Sequence, residues 1–295
     1  MSERQRTILI TGATSGIGRA AALHLAARGH RVLATGRSEA ALASLQQGAG
    51  TALEVAQLDV TDAASIARVR DTVLERTGGQ GLDVLVNNAG FGVVGPTELI
   101  TEADLRAQYE TNVFGLMAVT RAFLPQMRAR GAGRIVNISS LGGRHTLPLY
   151  GVYNSTKYAV ESLSDALRIE LGPFGVQVVL IEPGAIKTAF TPRSLDGGAK
   201  YRGHDSPYAP VLERTQRLQQ IADRTSVDPA CVCAAIERAA TARRPRARYV
   251  APRSAGWLIA LLRALPTRWA DQLARLALGF TRRRFAGRLP ARQST

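Results

Sequence analysis

Tyr153 and Lys157 stand four residues apart in the stretch YGVYNSTKYAV (150–160), in a chain of 295 residues that holds three lysines against thirty-five arginines. Residues four apart on a helix share a face, so the scarce ammonium is set beside a phenol. A free phenol ionises near pH ~10, and a nearby cation favours the phenolate and lowers that value. The pair therefore reads as a general acid/base, whose pKa is best kept near the working pH. On this reading the Tyr153 phenol is expected to be depressed in a partly buried site with a positive nicotinamide nearby. The bland alternative is an ordinary surface pair. Tyr150 lies two turns before Lys157 on roughly the same face, so spacing alone leaves two tyrosines open.

A second set of residues suits a nucleotide. ILITGATSGIGRAAALHLAARG begins at Ile8 and reads as a strand, a glycine turn and an amphipathic helix. Gly12, Gly16 and Gly18 let the backbone approach a pyrophosphate and aim the free N–H groups of the helix at it. Their spacing is not G-x-G-x-x-G, so that motif is not claimed. Where an NAD site wants an acid after the second strand, this chain has ATGRS, with Gly36 followed by Arg37. No carboxylate there repels a 2′-phosphate and a guanidinium can bind one, which points to NADP(H). The competing reading of Arg37 is a solvated side chain. Asp59, in QLDVTD, is either part of a helix cap or a carboxylate for the adenine amine. In VNNAGFG the paired asparagines can bond across a turn, and Ala89-Gly90 leaves room for a flat ligand.

These residues need a frame. Short apolar runs at 7–10, 31–35, 51–58, 83–86, 134–138, 176–181 and 247–251 alternate with helical patterns. Continuous apolar strands joined through helices imply a parallel sheet covered on both faces, hence a single doubly wound α/β domain of Rossmann type with seven strands. The polar segment 188–226 reads as the mobile region, a candidate lid. No run approaches the ~18 apolar residues of a membrane span, and the N-terminus lacks the marks of a signal peptide, so the expected location is cytoplasmic. Cys231 and Cys233 are too close to bridge each other, and the four histidines are scattered, so no metal is expected. The net charge of +15 is uneven: after residue 240 there are thirteen arginines and one acid, Asp271. Within that tail, GWLIALLRALPTRWADQLARLALGFTRRR predicts two helices split by Pro266. The first is apolar nearly all round and expected to be buried; the second carries Trp269, Leu273, Leu276 and Phe280 on one stripe. Packing over the pocket or a subunit partner is preferred to docking on an anionic membrane, and both to nucleic-acid binding, for which no recognition motif is present.

Taken in order, TGATSGIG (11–18), LDV (58–60), NNAG (87–90), Asn112, SS (139–140), YNSTK (153–157) and EPGAIKT (182–188) resemble the short-chain dehydrogenases/reductases over about residues 5 to 252. The resemblance implies a catalytic tyrosine four before the lysine and thirteen after the serine, which selects Tyr153 and Ser140 and leaves Tyr150 to line the substrate mouth. It implies that Asn112 holds a water for proton relay. It implies cofactor contacts at Gly12, Thr14, Ser15, Gly16, Ile17, Gly18, Arg37, Asp59, Val60, Asn88, Ala89, Gly90, Lys157, Pro183, Gly184, Ile186 and Thr188. The domain would span 1–252 and a basic helical extension 253–295, whose frayed end is placed at 287–295. The extension is similar to that of the retinol and 17-beta-hydroxysteroid dehydrogenase branch, implying a lipophilic ketone or alcohol. A homodimer or homotetramer, with possible peripheral membrane contact through the extension, is expected.

Overall fold

The computed structural model describes residues 4–49, 53–188, 190, 194, 198–201, 206–224, 226–281 and 285. Much of the predicted lid, including 189, 191–193, 195–197, 202–205 and 225, lies outside the described residues, as does the end predicted to fray at 287–295.

Seven strands form one parallel sheet: β1 (Thr7–Ile10), β2 (Arg31–Gly36), β3 (Leu53–Gln57), β4 (Val84–Asn87), β5 (Gly133–Ile138), β6 (Val176–Pro183) and β7 (Arg248–Ala251). Their spatial order is β3-β2-β1-β4-β5-β6-β7. The order reverses at β1, which pairs with β2 on one side and β4 on the other, and the crevice beyond the carboxyl ends of β1 and β4 is where such sheets bind ligands.

The helices cover both faces. They are α1 (Gly16–Ala27), α2 (Glu39–Gln47), α3 (Ala63–Arg76), α4 (Glu102–Tyr109), α5 (Leu116–Ala129), α6 (Gly151–Glu170), α7 (Ala209–Arg224), α8 (Ala230–Thr241), α9 (Arg253–Ala264) and α10 (Thr267–Leu278). Strand side chains alternate between two cores. Ile8, Ile10, Val32, Val84, Val86, Val136 and Ile181 pack with α1 and α8. Leu9, Leu33, Leu85, Ile135 and Val178 pack with α3 and α5. Both faces being apolar is why the strands read as unbroken hydrophobic runs.

The segment read as polar and mobile contains a regular helix, α7. Its two ends are tied by a bridge between Ile186 and Val227, with the Lys187 amide donating to the Val227 carbonyl at 2.9 Å. The Arg214 guanidinium of α7 donates to the Ala277 carbonyl of α10 at 2.9 Å, and Tyr208 lies against Phe280 and Phe285. α7, α9 and α10 thus form a helical cap.

The expected burial of the first extension helix does not hold. In α9 only Ile259 is buried, while Trp257 is 82% exposed. The helix lies on the rim: Gly256 faces Val250 of β7, while Trp257 and Leu261 are largely exposed. Among the described residues no helix is long and apolar enough to cross a membrane.

Candidate active site

A cavity of about 980 Å³ runs from the carboxyl ends of β1 and β2 to the helical cap. Every site residue predicted from sequence lines it except Gly18 and Asn112, which stand directly behind its wall.

At the nucleotide end the chain passes so close to itself that side chains are excluded. Gly12 has φ +66°, and a Cβ there would come within 2.7 Å of the Ala89 Cα; a Cβ on Gly18 would meet the Gly12 carbonyl at 2.5 Å. The turn is held by Thr11, whose Oγ1 accepts the Asn88 and Ala89 amides, both at 3.0 Å. The Asn88 side-chain amide donates back to the Thr11 and Gly12 carbonyls. Asn88 is therefore a brace of the turn, and Ala89 and Gly90 line the cavity through backbone. The amino end of α1, with Ser15, Gly16 and Ile17, opens onto the cavity opposite Thr188, turning the first-turn backbone and the positive end of the helix dipole toward it.

Arg37 is exposed on the rim, directly after Gly36, whose Cα faces Thr14. Asp59 is not the helix cap; it braces the turn before α3 and borders the cavity. Its Oδ1 accepts the Thr61 amide at 2.9 Å and the Thr61 hydroxyl at 2.7 Å, and it also lines the cavity beside Val60. Burial pushes its carboxyl up, but the Thr61 bonds and the Arg37 charge outweigh that and hold it below its ordinary value. The N-cap of α3 is Asp62, whose side chain accepts the Ala64 amide. A dinucleotide with a central pyrophosphate and a further phosphate on its ribose suits this surface: a glycine approach, a helix amino end, and a guanidinium at the far rim.

At the other end, β5 delivers Ser140 and α6 delivers Tyr150, Tyr153 and Lys157. Ser140 caps a short turn, Leu141–Gly143, its Oγ accepting the Gly142 amide at 3.0 Å, and it shares a hydrogen bond with the Tyr153 phenol. Ser139 turns elsewhere, its hydroxyl lying beside Glu161 around Gly143. The Lys157 ammonium donates to the Ile138 carbonyl at 2.8 Å and sits 5.8 Å from the centre of the Tyr153 ring. Pro183 at the end of β6, with Gly184 and Ile186 after it, closes the wall behind it.

In the chain alone, without the nicotinamide charge that the sequence expectation invoked, the electrostatics run the other way. Burial pushes the Tyr153 phenol up to about 12; the Ser140 hydrogen bond opposes this and the nearby Tyr150 adds to it. Burial takes the Lys157 ammonium down to about 8, against the pull of Glu161. A depressed phenol is not found in the chain by itself, because the ammonium is spent on a backbone carbonyl and both groups are out of water. The site as it stands holds a neutral phenol, a proton donor.

Asn112 lies in a π-helical turn, Glu110–Gly115, of the kind that often marks a functional site. Its Oδ1 accepts the Phe91 amide at 3.0 Å, and its Nδ2 donates to the Phe91 carbonyl at 2.8 Å and to Thr156 Oγ1 at 3.1 Å. It ties the loop after β4 to α6.

Several groups escaped the sequence reading. Phe190 packs on Tyr153 at 5.4 Å between ring centres. Thr215 and Leu218 of α7, Leu258, Ile259 and Leu262 of α9, and Leu278 of α10 form the cap side of the cavity. Fully buried Glu182 bonds Arg144 at 3.0 Å and Arg248 at 3.2 Å, and Arg248 also reaches Glu161 at 3.1 Å. These ion pairs anchor the loop that carries Ser140 to β6, β7 and α6. Only the spacing Lys157, Glu161, Asp165 hinted at them, as one helix stripe. Leu149, beside Tyr150, has φ +71°, the one positive φ outside glycine among the described residues.

Comparison with known proteins gives a consistent set of relatives. The short chain dehydrogenase family model matches residues 6–197. The chain is 32% identical to the NADPH-dependent 3-dehydrocapnine reductase of Ornithobacterium rhinotracheale, over 91% of this chain and 95% of that one. It is 38% identical to human retinol dehydrogenase 16, over 88% of this chain and 83% of that one. Among solved structures, a short-chain dehydrogenase from Streptomyces avermitilis superposes with a TM-score of 0.76 at 38% identity, covering 93% of this chain and 99% of that one.

Proposed function

The chain belongs to the short-chain dehydrogenase family, and is thereby an oxidoreductase acting on CH–OH and C=O groups; from that premise we propose that it interconverts a lipophilic ketone or aldehyde and the corresponding alcohol with NADP(H), Tyr153 moving the proton. The observation that carries the reading is that Ser140, Tyr153 and Lys157 line one end of the same cavity whose other end carries Arg37 and the amino end of α1.

The residues divide the work. Arg37 pairs with a 2′-phosphate; the Gly12 turn and α1 receive the pyrophosphate; Asp59 and Val60 border the adenine; Asn88 to Gly90 and Pro183 to Thr188 flank the nicotinamide half together with Lys157. Bound there, the cofactor supplies the hydride in reduction and accepts it in oxidation. Ser140 Oγ hydrogen-bonds the substrate oxygen, and the neutral Tyr153 phenol gives its proton as that oxygen gains charge. A phenol held up near 12 keeps its proton at neutral pH, so the group is present in the protonated form that reduction requires. The Glu182 ion pairs, acting through Arg144, hold the Ser140 loop in register.

Lipophilicity is supported by the cap, where Leu218, Leu258, Leu262 and Leu278 face the cavity, and by a relative named for retinol. The NADP choice is supported by Arg37 and by the NADPH named for another relative. The extension 253–295 is a unit added to the 1–252 domain. Self-association as a homodimer or homotetramer is supported by exposed Phe114, Tyr158 and Ile169 on the α4–α6 side.

The test is a matrix of ketones of increasing chain length against NADPH and NADH, followed at 340 nm on the order of minutes. Turnover rising with chain length and larger with NADPH supports the reading. Turnover of none, or of short polar ketones with NADH alone, overturns it.

A further inference from the structure

We infer that the helices α9 and α10 dock this protein on an anionic phospholipid bilayer, lying in the interface without crossing it. With Leu258 left to the cavity wall, five of the fifteen large hydrophobic residues exposed in the described chain fall between Trp257 and Leu276. Trp257 is 82% exposed, Leu261 63%, Trp269 68%, Leu273 51% and Leu276 55%. Trp269, Leu273 and Leu276 form an i, i+4, i+7 stripe on α10, and Trp257 and Leu261 an i, i+4 pair on α9. Both tryptophans of the chain are here. Tryptophan has an apolar body and one donor, the balance that suits a headgroup boundary.

The charge identifies the occupant. Arg253, Arg263, Arg268 and Arg275 are exposed on the same two helices, against one acid, Asp271. A second copy using this face isologously would bring like guanidiniums together, which is unfavourable. An anionic bilayer offers opposite charge to the guanidiniums and apolar depth to the Trp and Leu side chains, with arginine stems reaching up to the phosphates. The inner side of these helices supplies Leu258, Ile259, Leu262 and Leu278 to the cavity wall. Docking therefore sets the cap of the cavity against lipid, where a lipophilic substrate resides, a consequence that rests on the proposed function while the docking itself does not.

Because the only two tryptophans lie on the docking face, intrinsic fluorescence reads that face alone. The full chain is titrated with vesicles of phosphatidylcholine and of 3:1 phosphatidylcholine–phosphatidylglycerol, with co-sedimentation in parallel. Expected are a shift of emission to shorter wavelength, and binding at least about tenfold tighter to the anionic vesicles, weakening as salt is raised. W269E/L273E, checked for unchanged thermal unfolding, should lose binding to both vesicles; R263E/R268E/R275E should lose the anionic preference. Blue emission before vesicles are added, with concentration-dependent self-association and no co-sedimentation, assigns the face to a second copy and overturns the proposal. Equal binding of the parent and W269E/L273E overturns it too. All readouts are independent of turnover, so failure of the proposed reaction leaves them intact.

Discussion

The two ends of the cavity are built by different means. At the nucleotide end the wall is backbone: Gly12 against Ala89, Gly18 against the Gly12 carbonyl, braced by Thr11 and Asn88 within two adjacent turns. At the cap end the wall is side chains from α7, α9 and α10, elements up to some sixty residues apart, joined by contacts such as Arg214 to Ala277. The first end admits no added atom; the second presents leucines that can be trimmed. A rigid end suits a ligand common to a whole family, and an adjustable end suits the substrate that distinguishes one member. Between them stands the Ser140, Tyr153 and Lys157 set, anchored to the rigid sheet through Ile138 and facing the adjustable cap through Phe190.

The sharpest way to break that division is at the middle. Tyr153→Phe keeps the ring and removes the proton, and should lower kcat by ~10²–10⁴ with cofactor affinity little changed. Tyr150→Phe should mainly raise KM. The reverse pattern in steady-state kinetics would show that the acid is Tyr150.

The next largest effect tests the buried ammonium. Lys157 ionises near 8 in the folded chain against 10.5 for the free group, so unfolding takes up a proton between those values. Stability of the cofactor-free protein should therefore rise with pH across that window, by on the order of 3 kcal/mol. Tyr153, raised to about 12, acts oppositely above pH ~10, where the unfolded phenol ionises first. Lys157→Met should flatten the rise between pH 8 and 10 in denaturant titrations; an unaltered slope would mean that the ammonium is not buried as the structure has it.

Smaller changes separate the two ends. Arg37→Asp should weaken NADPH by about tenfold and move preference toward NADH, the gain of an exposed charge-assisted contact being limited by solvent. Leu262→Ala should leave cofactor affinity and short ketones unchanged while costing long-chain ketones about fivefold in kcat/KM, the worth of roughly one buried methylene or two. If Leu262→Ala affects all substrates alike, the cap is structural and the division proposed here is wrong.

The sequence by itself determined the sheet, because each strand is buried on two faces and so appears as a local apolar run, and the helices between them force right-handed crossovers. It also determined which residues gather at the nucleotide end and the middle of the cavity, since glycine turns and strand ends act within a few residues of the motif that encodes them. The Tyr153–Lys157 spacing was legible for the same reason. What only the tertiary structure decided are the long-range terms. The Tyr153 phenol is high and not low because burial, and the Ile138 carbonyl that takes the Lys157 proton donor, are set by β5 and α6 together. The Arg144–Glu182–Arg248–Glu161 ion pairs join residues up to about a hundred positions apart, and beyond the Glu161–Asp165 spacing on α6 no periodicity announces them. The apolar α9, read as buried from composition, lies on the rim with Trp257 outward, because hydrophobicity states that a surface seeks a partner and only the packing of the chain decides whether that partner is its own core.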